Sequence, residues 1–137
     1  PILGEKKYRL ELLGVCPDFD IALLKPLKYQ SKTYFKLGTK AHIKAGNEVY
    51  AIGFPLGQSN IKITRGIISG IQYKSIQIDA PLNPGNSGGP LIYKGKIIGI
   101  NKSGYQKSNN VGYASPIFNY TTIKKELLDK KKILSTS

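Results

Sequence analysis

The stretch IDAPLNPGNSGGPLIYKGKIIGIN, residues 78–101, sets one serine, Ser87, among Gly85, Asn86, Gly88 and Gly89, and follows it with two apolar, strand-like runs. Glycines in such a turn admit positive φ and the close approach of another backbone, so that N–H groups can converge on a ligand. A turn of that kind binds an anion. If Ser87 is a nucleophile, the same N–H groups stabilise the oxyanion formed on its attack at a carbonyl, given a base and an acid that orients the base. A glycine-rich hairpin that only turns a corner has the same composition, so the rest of the chain has to decide.

Working outward, YKGK (93–96) reads as a hairpin tip, and EVYAIGF, IKITRGIISGI, SIQIDA, PLIYKGKIIGIN and VGYASPI form strand-like runs punctuated by Gly, Pro and Asn. That is the spacing of a small antiparallel barrel. Upstream, YRLELLGV (8–15) alternates with Leu10 and Leu12 on one side, the period of a half-buried strand. DIALLKP (20–26) is a second short strand closed by Pro26. Residues 27–47 are Lys-rich without a sustained period and read as a connector. After the last strand, Ser115 and Pro116 suit a helix start as cap and first residue, with Tyr120, Ile123 and Leu127 on one face.

The chain has 137 residues, enough for a real core without staples, and 40% of them are apolar. No apolar run approaches the roughly 20 residues of a membrane helix, so no membrane span is expected. The single cysteine, Cys16, forms no internal disulfide, and no Cys/His cluster offers a metal site; no cofactor is implied. Net charge is +13, and since Arg9 and Arg65 are the only arginines, lysine supplies nearly all of it. Lysines spread along the chain suit a solvated surface, with an acidic or nucleic-acid partner as the alternative. The chain contains no methionine and starts at Pro1, which reads as a processed product or a fragment.

Two layouts compete for Ser87. The G-x-S-x-G spacing fits the nucleophile elbow of α/β-hydrolases, whose acid and histidine follow the serine. No histidine follows Ser87, and the later acids, Glu126 and Asp129, fall on the Lys-rich terminal helix. The order His, Asp, Ser instead wants an acid on an earlier strand. Asp20, heading DIALLK, meets that requirement better than Asp18, which sits in the turn between Pro17 and Phe19.

The segments DFDIALLK, VYAIGFPLG, ITRGIISGI, IDAPLNPGNSGGPLIYKGKIIGIN and VGYASPI resemble, in order and spacing, the HtrA/DegP branch of the trypsin-like serine proteases. The resemblance implies an all-β, chymotrypsin-like double β-barrel: residues 1–26 as the last strands of the first barrel, 27–47 as the inter-barrel connector, 48–117 as the second barrel, and 116–134 as a C-terminal helix. It implies Ser87 as nucleophile, Asp20 as the buried acid, and the N–H groups of Gly85 and Ser87 as the oxyanion hole. The substrate pocket falls to Pro81, Leu82, Lys102, Ser103, Gly104 and Tyr113. With no acid six residues before Ser87, small or medium apolar side chains of a polypeptide substrate are expected there.

The chain departs from the family at the base. The family histidine precedes the acid, and nothing before Asp20 is a His; His42 follows it and reads as a surface or hinge residue. A companion N-terminal fragment carrying the histidine is therefore expected, with a catalytically inactive scaffold that holds acidic partners as the alternative. Lys102 stands where the family has Ser or Thr beside the acid, from which a long cation can reach Asp20 or the pocket mouth.

Overall fold

From Glu48 to Pro116, apolar residues alternate with polar ones at a period of two, and six strands result. The computed structural model of the chain describes residues 2–3, 6–7, 9–17, 20–27, 33–53, 60–72, 74–82, 84–102 and 111–129. The barrel strands are β6 (Glu48–Gly53), β7 (Lys62–Gln72), β8 (Ser75–Ile78), β9 (Pro90–Tyr93), β10 (Lys96–Lys102) and β11 (Gly112–Pro116). They follow one another as β11-β8-β7-β6-β9-β10, and β10 pairs back onto β11 from Gly99↔Pro116 to Lys102↔Tyr113. This pairing closes the barrel and removes its free edges. Val49, Ala51, Ile68, Ile76, Ile78, Leu91, Ile98 and Ala114 fill the interior. Each buried Ile or Leu contributes about 2 kcal/mol relative to exposure. The YKGK tip forms as expected: Lys94 and Gly95 take φ of 47° and 77°, the left-handed pair of a two-residue hairpin loop.

The chain divides into two compact units, residues 35–119 and residues 1–34 with 120–137. The first holds the barrel and also part of the 27–47 stretch. Within it β5 (Lys36–Leu37) runs parallel to Lys96–Ile97 of β10, the Gly38 N–H donates to the Ile97 carbonyl at 2.7 Å, and Ile43 is buried in the core. His42 ends a 3-10 turn (Lys40–His42), where its Nδ1 accepts the Thr39 N–H at 2.9 Å and its ring tilts against Tyr93. Attachment through such short segments leaves no period to read in the sequence.

The second unit contains β1 (Ile2–Leu3) paired with β2 (Lys6–Lys7), and the hairpin of β3 (Leu10–Cys16) with β4 (Ile21–Pro26). Leu12 is 42% exposed rather than half-buried: it pairs with Leu24 in a two-stranded ribbon whose register shifts between Leu12 and Gly14. Helix α1 (Ile117–Asp129) begins one residue later than the sequence suggests. Pro116 still pairs with Gly99 in β11, and the Ser115 Oγ is buried without a hydrogen bond instead of capping the helix. Ile123 is buried and Tyr120 half-buried as the helical period requires, while Leu127 lies outside the described side chains.

Candidate active site

Between β8 and β9 the chain makes a 3-10 turn (Pro84–Asn86), presents Ser87, and then passes through Gly88 and Gly89 into Pro90. Gly88 takes φ +86°, which a side chain would oppose. Gly89 allows contact instead, since a Cβ there would run into the carbonyl of Ile52. Gly53 does the same from the β6 side, where an added Cβ would lie 2.6 Å from the Asn86 Cα. The turn is thereby pressed onto the end of β6, leaving Asn86 1% exposed and its neighbour Ser87 exposed to solvent.

Three backbone bonds hold this shape. The Gly88 N–H donates to the Asn101 carbonyl at 2.8 Å, the Asn101 N–H to the Gly89 carbonyl at 2.8 Å, and the Gly89 N–H to the Asn86 carbonyl at 3.0 Å. The amides of Gly85 and Ser87 take no part in these tethers. Gly85 is the second residue of the 3-10 turn, whose first amides have no carbonyl within the turn to bond. Asn101 adds its side chain: Nδ2 donates to the Pro90 carbonyl at 3.2 Å and reaches that of Ile52 at 3.5 Å. The carboxamide oxygens of Asn86 and Asn101 are buried and accept no hydrogen bond. Such an orphan costs about 1–3 kcal/mol. Sequence reasoning passed over Asn101; its signal was a polar residue ending the apolar run IIGI.

On the wall before the serine, the Asp79 carboxylate accepts the Ile67 N–H at 2.6 Å and the Asp79 N–H donates to the Ile67 carbonyl at 3.1 Å. This pair ties the start of the segment to β7, where a Cβ on Gly66 would lie 3.0 Å from the Ala80 Cβ. Pro81 is exposed, whereas Leu82 is half-buried against the core. Opposite stands Gly112, absent from the sequence-derived set: a Cβ there would lie 2.5 Å from the Ala80 carbonyl oxygen and 2.7 Å from the Leu82 Cγ. Tyr113 is half-buried and pairs with Lys102. The Lys102 Nζ donates to the Ser75 Oγ at 2.6 Å and to the Lys74 carbonyl at 3.1 Å, so its head group is bound to the turn between β7 and β8. Ser103 and Gly104 lie outside the described residues. Gly85, Ser87, Pro81, Leu82, Lys102 and Tyr113 all belong to the barrel unit.

Asp20 belongs to the other unit, at the turn between β3 and β4, where its N–H donates to the Pro17 carbonyl at 3.2 Å. Its φ is +55°, a left-handed conformation rare outside glycine, and its side chain is exposed in this chain, where burial was expected. A ribbon of two strands leaves the residues of its connecting turn uncovered. Asp18, the rival acid, lies outside the described residues.

With this geometry in hand, comparison with known proteins decides the family: residues 3–100 match the trypsin-like peptidase domain. The chain belongs to that family. Among its relatives, the serine protease DegP homolog of Plasmodium falciparum is 40% identical over 140 residues, a region covering 92% of this chain and 15% of that protein. A probable periplasmic DegP-like endoprotease of Pseudomonas fluorescens is 40% identical over 128 residues, covering 85% of the chain and 26% of the relative. Of solved structures, the HtrA-type protease AlgW with decapeptide aligns at a TM-score of 0.80 with 32% identity, covering 90% of this chain and 42% of that one. A serine endoprotease from Yersinia pestis aligns at 0.74 with 30% identity, covering 88% and 44%. The trypsin-like chain therefore spans less than half the length of each of these proteins, and its all-β barrel and HtrA/DegP resemblance stand on sequence and structure together.

Proposed function

We propose that the chain is the C-terminal part of a serine endopeptidase in which Ser87 is the nucleophile, Asp20 the acid that orients a histidine, and that histidine comes from a companion N-terminal segment. In this reading residues 1–26 finish a first barrel and 48–117 form the second. The observation that carries it is the contrast between neighbours: Asn86 is 1% exposed while Ser87 stands in solvent on a turn tied down through Gly88, Gly89 and Asn101. A corner-turning hairpin has no reason to fix its serine outward so firmly.

The chemistry follows from the assigned roles. Ser87 Oγ attacks the scissile carbonyl as its proton passes to the histidine, and the oxyanion takes hydrogen bonds from the Gly85 and Ser87 amides. The histidine then hands its proton to the leaving amine, and water hydrolyses the acyl-enzyme by the reverse sequence. Leu82 and Gly112 bound an apolar pocket that accepts small or medium side chains before the cut.

A fluorophosphonate probe applied to the material that includes the companion segment tests the reading. Labelling should map to Ser87, vanish in Ser87→Ala, and fall by orders of magnitude in Asp20→Asn, which leaves the imidazole in the wrong tautomer. Labelling that survives Ser87→Ala removes the assignment.

The second reading, an inactive scaffold that holds acidic partners, has one observation in its favour. Lys36 and Lys96 are direct register partners, an arrangement of like charges that is unfavourable on its own and that an anion would relieve. Binding to a polyanion that weakens steeply with salt and disappears in Lys36→Gln/Lys96→Gln would support this reading.

A further inference from the structure

We propose that Asn101 is the positioning residue of the Ser87 turn, which it holds through both its backbone and its carboxamide. The inference rests on Ser87 being the nucleophile of the preceding section. Asn101 lies on β10, where its backbone both accepts from the Gly88 N–H and donates to the Gly89 carbonyl, each at 2.8 Å. Two consecutive residues of the turn are thus fixed by one residue of a barrel strand.

The side chain adds a second set of constraints. With Nδ2 directed at the carbonyls of Pro90 and Ile52, the carboxamide has one orientation, since exchanging its O and N would face an acceptor against two acceptors. Its Oδ1 is consequently turned to the other side, buried and without a donor. The Asn86 Oδ1 is in the same condition and lies where a Cβ on Gly53 would be 2.7 Å from it. Both carboxamides therefore rest on Ile52 and Gly53, consecutive residues of β6. The amides of Gly88, Gly89 and Asn101 are committed to carbonyls of the turn and of β10.

Ser87 is flanked on both sides by residues tied to Asn101: Gly88 directly, and Asn86 through Gly89, whose carbonyl accepts the Asn101 N–H and whose own N–H donates to the Asn86 carbonyl. An apolar residue at 101 would continue the run IIGI but leave the Ile52 and Pro90 carbonyls without this donor. Holding the Cα of Ser87 from both sides fixes where Oγ stands, and displacement of a reacting atom by about 1 Å costs up to about 100-fold in rate.

The test uses the assembled enzyme and two variants, Asn101→Asp and Asn101→Ala. Expected are a fall of about 10- to 100-fold in kcat and in probe labelling of Ser87 with KM within about twofold, since the substrate pocket is untouched. Amide exchange at Gly88 should rise about tenfold at a temperature where both variants remain folded. Asn101→Asp that is folded, labels at the unaltered rate and keeps slow Gly88 exchange overturns the positioning role. If the unaltered enzyme does not label at all, the hydrolase reading fails, whereas Gly88 exchange still decides this inference.

Discussion

Gly53 lies against Asn86 so closely that a single methyl group on it would stand 2.6 Å from the Asn86 Cα and 2.7 Å from its Oδ1. The end of β6 is thus the anvil on which the Ser87 turn is shaped, and the absence of a side chain at residue 53 is what lets Asn86 bury and Ser87 face out.

Gly53→Ala tests this packing. The obstacle is partly backbone and cannot rotate away, so the turn must lift, at a cost of about 1–3 kcal/mol. Thermal melting of the unaltered and variant proteins should show that loss, and Ser87 labelling should fall further than the fraction unfolded explains. A variant with unchanged melting and labelling would mean that the turn is looser than described.

Asp20 holds φ +55°, so its backbone and its proposed chemistry make opposite demands. Asp20→Gly relieves the left-handed strain and should hold or raise stability, whereas Asp20→Val should lose about 1–2 kcal/mol. Both should abolish turnover in the assembled enzyme. Denaturant midpoints for the pair check this: a Gly variant less stable than the Val variant would remove the strain, and with it the argument that the residue is kept for function.

The room above Gly112 is taken by Leu82. Leu82→Ala should therefore enlarge the pocket and shift preference before the cut from small or medium apolar side chains toward aromatic ones, by about tenfold in kcat/KM for a matched peptide pair. An unchanged profile would take Leu82 out of the pocket. Cleavage chiefly after Lys or Arg in the unaltered enzyme would contradict the apolar reading altogether.

Lys102 and Ser75 join β10 to the β7–β8 turn through a 2.6 Å hydrogen bond. A double-mutant cycle of Lys102→Met and Ser75→Ala, followed by urea melts, should give a coupling of about 1 kcal/mol, with stability of each single variant reduced. Zero coupling would mean the contact contributes nothing measurable.

Much of this protein was legible before any coordinates. The strands of the barrel announce themselves because their faces differ, and a period of two is a local property; the loop Lys94–Gly95 and the exposed turn of Ser87 follow from residue types whose backbone freedom is equally local. What only the tertiary structure decided depends on residues far apart in the chain. The pairing of β10 with β11 closes the barrel, the short β5 and Ile43 join it from a stretch with no period, and Gly112 packs directly against Leu82. Asn101 is the plainest case. In the sequence it is one polar residue after an apolar run, and its meaning comes from carbonyls 11 and 49 residues away that reach it only once the barrel has closed around the turn of Ser87. Local pattern fixes which segments become strands and turns, whereas hydrogen bonds and close packing between distant segments fix which polar side chain holds the serine in place.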